Sequence, residues 1–123
     1  MFFDKPKAAH LQKGDSAEQQ ALAYLRQQSL QWLCSNYRCK AGELDLVMMD
    51  GPVLVIVEVR YRKSDQFGGA LASITRKKQA RIVAATQHYV IINKLNHCAI
   101  RFDVVAVTGA THRLDWIKNA FQT

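Results

Sequence analysis

No Cys-x-x-Cys pair occurs in this sequence, and its three cysteines, Cys34, Cys39 and Cys98, are an odd number at irregular spacing. A disulfide framework and a thiolate zinc site are therefore not expected, and the four histidines are scattered. Ordinary reduced thiols fit a bacterial-type cytosol. No apolar run nears the roughly 18 residues of a membrane helix. The opening Met-Phe-Phe-Asp-Lys-Pro-Lys lacks the pattern of a signal peptide, so a soluble, cytoplasmic chain with no membrane partner is expected. Internal repeats, low-complexity segments and shifts in composition are missing too. A chain of 123 residues, 49% hydrophobic, then has room for one domain with a real core. The expected division is a flexible basic N-terminal tail at 1–13 and a single domain at 14–123.

Acidic residues are outnumbered, 10 against 17 Lys and Arg, which leaves a net charge of +7. A polyanion is a fitting partner for such a chain, and nucleic acid is the commonest. Arg60, Arg62 and Lys63 close one apolar run, and Arg76, Lys77, Lys78 and Arg81 open a helical one. Two readings stand for them: a nucleic-acid face, or a solvated helix face beside a basic loop.

The stretch between Glu43 and Arg62 organises the rest. Two β-branched-rich runs, Leu44–Met49 and Val53–Val59, flank Asp50-Gly51-Pro52, and each carries a carboxylate where a buried strand should have none. That predicts a hairpin. Pro52 lacks the N–H that would follow a tight Asp-Gly turn, so a four-residue loop, Asp50 to Val53, is expected. In that register Met49 faces Leu54 and Asp45 falls opposite Glu58. Strand side chains alternate, which puts Asp45, Glu58 and Arg60 on one face, with opposed Cβ atoms roughly 4.5–5.5 Å apart. Two close carboxylates resist joint ionisation unless a cation intervenes, and hard oxygens at that spacing suit Mg²⁺ or Mn²⁺. The alternative is a surface ion pair between Asp45 and Arg60.

Elsewhere, Asp15 and Ser16 are both N-cap candidates with Glu18 and Gln19 at capping-box spacing, and Ala17, Ala21, Leu22 and Leu25 give an apolar face. A helix is predicted over about 15–28. Glu18 either caps it or reaches towards the hairpin face. Leu30 to Arg38 reads as a first strand. Lys63 to Ala70 is a polar, glycine-containing loop, either a substrate lid or a plain crossover. Ser73 is taken as the N-cap of a long helix ending near Ile92, with Ile74, Ile82, Thr86 and Val90 on one stripe. Lys78 lies on that inward stripe, where it either snorkels its ammonium to the surface, the favoured reading, or is aimed at something acidic. Ala99 to Thr108 is the most strand-like run left, and Arg113 to Ile117 a last edge strand. The order α-β-β-β-α-β-β predicts an α/β sandwich with a mixed central β-sheet flanked by helices.

Five motifs then stand in order: Gly14-Asp-Ser-Ala-Glu18, Gly42-Glu-Leu-Asp45-Leu-Val, Val55-Ile-Val-Glu58-Val-Arg60-Tyr-Arg62, Phe67-Gly68 and Lys78-Gln-Ala-Arg81-Ile. Together they resemble the YraN-like family of small bacterial proteins, from about Gly14 to the end of the chain. The resemblance implies a restriction-endonuclease-like fold, similar to archaeal Holliday junction resolvases. In the PD-(D/E)xK pattern of that superfamily, Asp45 and Glu58 would be metal ligands for Mg²⁺ or Mn²⁺, Glu18 the helix acid, and Arg60 would occupy the usual lysine position. Arginine stays charged and cannot act as a base, so its help would be electrostatic. Lys78 is a candidate for the missing ammonium. The implied function is a nucleic-acid-binding, metal-dependent endonuclease acting on DNA, branched DNA included, with Arg62, Lys63, Lys77, Lys78 and Arg81 on flanking phosphates. A homodimer is expected from the resolvase likeness, since two strands need two sites. Arg60 keeps open a catalytically inactive, DNA-binding form of the fold. A third reading treats the charges as an ion-pair network in a protein-interaction domain.

Overall fold

A computed structural model describes residues 9–64, 69–109 and 113–122 of the chain. Seven principal elements follow the expected order: α1 (Ala9–Gln27), β1 (Gln31–Cys39), β2 (Gly42–Asp50), β3 (Val53–Arg62), α2 (Arg76–Ile92), β4 (Ala99–Thr108) and β5 (Arg113–Phe121). The strands form one mixed sheet in chain order. β1–β2, β2–β3 and β4–β5 pair antiparallel, and β3–β4 pair parallel through the α2 crossover. The expected α/β sandwich is the observed one, consistent with a nuclease-like architecture. No helix among the described residues is long and apolar enough to cross a membrane.

The central strands are apolar on both faces because each face carries a helix. Ala17, Ala21 and Leu25 of α1 pack with Leu46, Met48, Val55, Val57, Val105 and Val107. Ile82, Ala85, Tyr89 and Val90 of α2 pack with Val47, Leu54, Ile56, Phe102 and Val104 on the other face. Leu44 also belongs to the α2 side, although strict alternation from Leu46 would put it with α1. The period of two therefore breaks at Asp45.

Three sequence expectations need correction. The helix expected at 15–28 begins at Ala9, so Asp15 and Ser16 lie inside α1 and Glu18 is more than two turns from its start. A capping box is a local signature, and the residues before it carry the helix past it. The same helix takes in part of the tail expected at 1–13; residues 1–8 lie outside the described residues. In the hairpin, Asp50 pairs with Val53, leaving a two-residue turn, Gly51-Pro52, with Gly51 at φ 57°. Proline at the second turn position is not asked to donate; that falls to Val53, and only glycine takes the preceding positive φ cheaply. Finally, Thr75 rather than Ser73 caps α2, its Oγ1 accepting the Lys78 N–H at 3.1 Å. Ser73 ends a short 3-10 turn, Ala70–Ser73, just before it. The suggested lid falls largely on 65–68, outside the described residues.

Candidate active site

The β2–β3 ladder runs from Asp50↔Val53 to Leu46↔Val57 and stops there, while β2 stays on β1 as far as Gly42 and β3 stays on β4 as far as Arg62. The sheet is thus split at one end into two lobes, and Asp45 and Glu58 stand where the lobes part. Val59 N–H, freed from the ladder, donates to Asp45 Oδ2 at 2.9 Å. A carboxylate has replaced a backbone carbonyl as acceptor, which fixes Asp45 and keeps a half-buried amide satisfied.

Glu58 is only 5% exposed. Its carboxyl is close enough to that of Asp45 for each to act on the other's ionisation. Arg60 Nη2 lies 3.3 Å and Lys78 Nζ 3.6 Å from Glu58 Oε2. Burial first, then the Asp45 charge, pushes Glu58 up to about 7, against the pull of Lys78 and Arg60. Burial also raises Asp45, opposed chiefly by the Val59 amide. The two carboxyls therefore resist joint ionisation. Asp45 is the one whose charged form has a backbone donor to favour it.

Sequence reasoning thus brought Asp45, Glu58 and Arg60 together correctly. Lys78 meets both of its sequence readings in part: its side chain is still about one-third exposed, and its ammonium lies 3.6 Å from Glu58 Oε2. The α2 N-terminus sits at the split end of the sheet, because the crossover leaves β3 there, and Lys78 is on its first turn. Glu18 stands half-buried on α1, next to buried Ala17, on the helix that covers the face opposite α2. Arg62 is drawn inward, with Nε 3.3 Å from Thr108 Oγ1 and Nη2 4.0 Å from Asp115 Oδ2. Lys63, Lys77 and Arg81 are exposed.

The sequence reading placed Gly42 at the head of a motif without seeing its close approach to α2. A Cβ there would meet the carbonyl oxygen of Arg81 at 2.9 Å, so the β1–β2 turn is seated directly on the α2 backbone. Its place ahead of Glu-Leu-Asp45 was the available signal. Asp103 is a second buried carboxylate but has no capacity left: Arg101, Trp116 Nε1 and the Asn119 N–H all donate to it at 2.9–3.0 Å. Its role is structural.

Asp45 and Glu58 offer hard oxygens on carboxyls that resist joint ionisation, a donor set that fits Mg²⁺ or Mn²⁺. Among the described residues no three His, Cys, Asp or Glu side chains stand together. An ion here would draw the rest of its shell from water or substrate oxygens, as Mg²⁺ commonly does.

An α/β sandwich split at one sheet end, with a close acid pair flanked by two cations, is the class that fold and site define. The chain belongs to the uncharacterised protein family UPF0102, the YraN-like family, whose model matches residues 17–107. It is 46% identical over 119 residues to a UPF0102 protein of Pseudomonas fluorescens (strain Pf0-1), covering 96% of this chain and 99% of that one. A Legionella pneumophila relative (strain Philadelphia 1) is 47% identical over 111 residues, covering 89% and 94% of the two chains. One from Saccharophagus degradans (strain 2-40) is 50% identical over 115 residues, covering 93% and 96%.

Proposed function

We propose that this protein is a cytoplasmic, divalent-metal-dependent endonuclease that hydrolyses DNA phosphodiester bonds, branched DNA included. The observation that carries the reading is the Asp45–Glu58 pair, held close together at the split end of the sheet with Lys78 and Arg60 on one Glu58 oxygen. A purely structural pair has no need of two carboxyls that resist joint ionisation when either alone would match the cations beside it.

Asp45 and Glu58 would hold Mg²⁺ or Mn²⁺, which when bound supplies a water of lowered pKa and polarises the scissile phosphate. The chain's own residues do the remainder. Asp45, pinned by the Val59 amide, keeps its free oxygen in place. Glu58 would serve as a ligand in its ionised form, so its raised pKa would set the pH above which it can hold the cation. Lys78 and Arg60 face the negative charge that builds on the phosphate oxygens as water attacks and the leaving oxygen departs. Arg60 acts only as a charge, since a guanidinium does not give up its proton at working pH. Glu18 is retained as a helix acid whose contribution is to be measured. Lys63, Lys77 and Arg81 supply exposed positive charge for flanking phosphates, without reading sequence. A homodimer would present two such sites to two strands.

Arg60 favours a second reading, a nuclease fold that binds DNA without turnover. The test incubates the protein with labelled four-way junction, flap, linear duplex and single-stranded DNA in Mg²⁺ or Mn²⁺, beside EDTA and Asp45→Ala controls. Ion-dependent cleavage abolished by Asp45→Ala is expected. Binding without cleavage, unchanged by Asp45→Ala, would establish the second reading instead.

A further inference from the structure

Beside the acid pair lies an open groove of about 300 Å³ lined by Arg38, Cys39, Gly42, Glu43, Lys78 and Arg81. Three of the six are cations and one is an anion. Cys39 and Gly42, on either side of the β1–β2 turn, line the groove, and Gly42 sits against the Arg81 carbonyl of α2. Lys78 belongs to both places, lining the groove while its ammonium stands 3.6 Å from Glu58 Oε2. Arg81 follows one helical turn later on the same side, where residues three apart are neighbours. Arg38 faces it from β1, in an exposed pair with Glu43 at 3.7 Å.

We infer that this groove is the subsite for a backbone phosphate next to the scissile one, held by Arg38 and Arg81, so that the bound strand runs over the β1–β2 turn. The inference rests on the nuclease reading and adds a direction to it. Three features support a phosphodiester as occupant. Among the described residues the lining has no aromatic side chain on which a base could stack, so those residues offer charge without a base platform. The cations come from two separate elements, which favours an anion between them over a single solvated helix face. The groove also joins the acid pair through Lys78, as successive phosphates of one strand require. By contrast, Arg62 is turned away towards Thr108 and Asp115 on the other lobe. Glu43 tunes the subsite, since its carboxylate competes with phosphate for Arg38.

The test measures binding of a fluorescein-labelled DNA duplex by anisotropy in EDTA from 25 to 200 mM KCl, with thermal melts confirming that the exposed-site variants fold. Arg38→Ala and Arg81→Ala should each weaken binding and lower the slope of log K against log[salt] by about one. Glu43→Gln should tighten binding severalfold. If Glu43 were instead a metal ligand, Glu43→Gln would leave duplex affinity unchanged in EDTA and weaken Mn²⁺ binding, which overturns the inference. Unchanged slopes in both arginine variants, with wild-type binding intact, overturn it while sparing the nuclease reading. Absence of any wild-type binding at the lowest salt overturns the inference, while cleavage in Mg²⁺ or Mn²⁺ decides the nuclease reading separately.

Discussion

Asp45 Oδ2 accepts the backbone N–H of Val59 at 2.9 Å, at the point where β2 has left β3 and no carbonyl remains to take it. One side chain thus closes the sheet and presents a charge to the site. Asp45→Asn keeps an oxygen acceptor for the amide and should change stability by less than about 1 kcal/mol. Asp45→Ala strands the amide and should cost about 1–3 kcal/mol, offset in part by the lost repulsion on Glu58. Both should abolish ion-dependent cleavage. Equal denaturant midpoints for the two variants would show that the hydrogen bond does not support the split.

Glu58 holds its proton up to about 7 against an ordinary value of 4.5. Between those values the folded protein keeps a proton that the unfolded chain has released. Stability should therefore fall as pH rises from 4.5 to 7 and level off above, by about 3 kcal/mol at most. Glu58→Gln, which cannot ionise, should flatten that dependence and be more stable than the wild type at pH 8. Urea titrations of both proteins from pH 5 to 8 check this; parallel curves would remove Glu58 as the titrating group.

A cation and a proton compete for the same oxygens. Mn²⁺ binding should weaken as pH falls below 7 and release close to one proton at pH 6. Calorimetry at one pH in two buffers of different ionisation enthalpy reads that number directly, and zero protons released would place the ion away from Glu58.

Much of the fold was open to sequence reading because its signals are local and repeated. The two β-branched runs around Asp50-Gly51-Pro52 and the Ile82, Thr86, Val90 stripe needed no partner to be recognised. The split at Asp45 was not legible. Alternation tells which face a residue takes while a strand stays paired, and carries no mark of the residue at which it leaves its neighbour. The carboxylates in both runs hinted at it. The choice between the two readings of Lys78 was open for a related reason: a lysine on an apolar stripe looks the same whether water or a buried glutamate awaits its ammonium, and the crossover direction brings it to Glu58.

Lys78 and Arg60 both meet Glu58 Oε2, yet they differ in what they can do. Arg60 has its Nε buried without a hydrogen-bond partner among the described residues, so its geometry is constrained by packing. Lys78→Ala should reduce cleavage roughly a hundredfold, the scale of losing one charged transition-state contact. It should also shift the pH-dependent loss of stability upward, because a cation that lowers Glu58 is gone. Arg60→Lys should retain cleavage. A Lys78→Ala enzyme with wild-type turnover and an unshifted stability profile would confine that lysine to packing.

Gly42 tests whether the two lobes must be held at a set distance. Its Cβ-less backbone lets the β1–β2 turn rest on α2, where an added methyl would lie 2.9 Å from the Arg81 carbonyl oxygen and 3.3 Å from Arg81 Cβ. The obstacle is helix backbone, which cannot rotate away as a side-chain tip can, so the turn itself must lift. Gly42→Ala should therefore cost about 1–3 kcal/mol, the range for overpacking a close contact. Lifting the turn moves Arg38 and Glu43 away from Arg81, while Asp45 stays tied to Val59 across the split. Duplex affinity should fall with Mn²⁺ affinity nearly unchanged. Equal losses in both would mean instead that the turn and the acid pair move as one body.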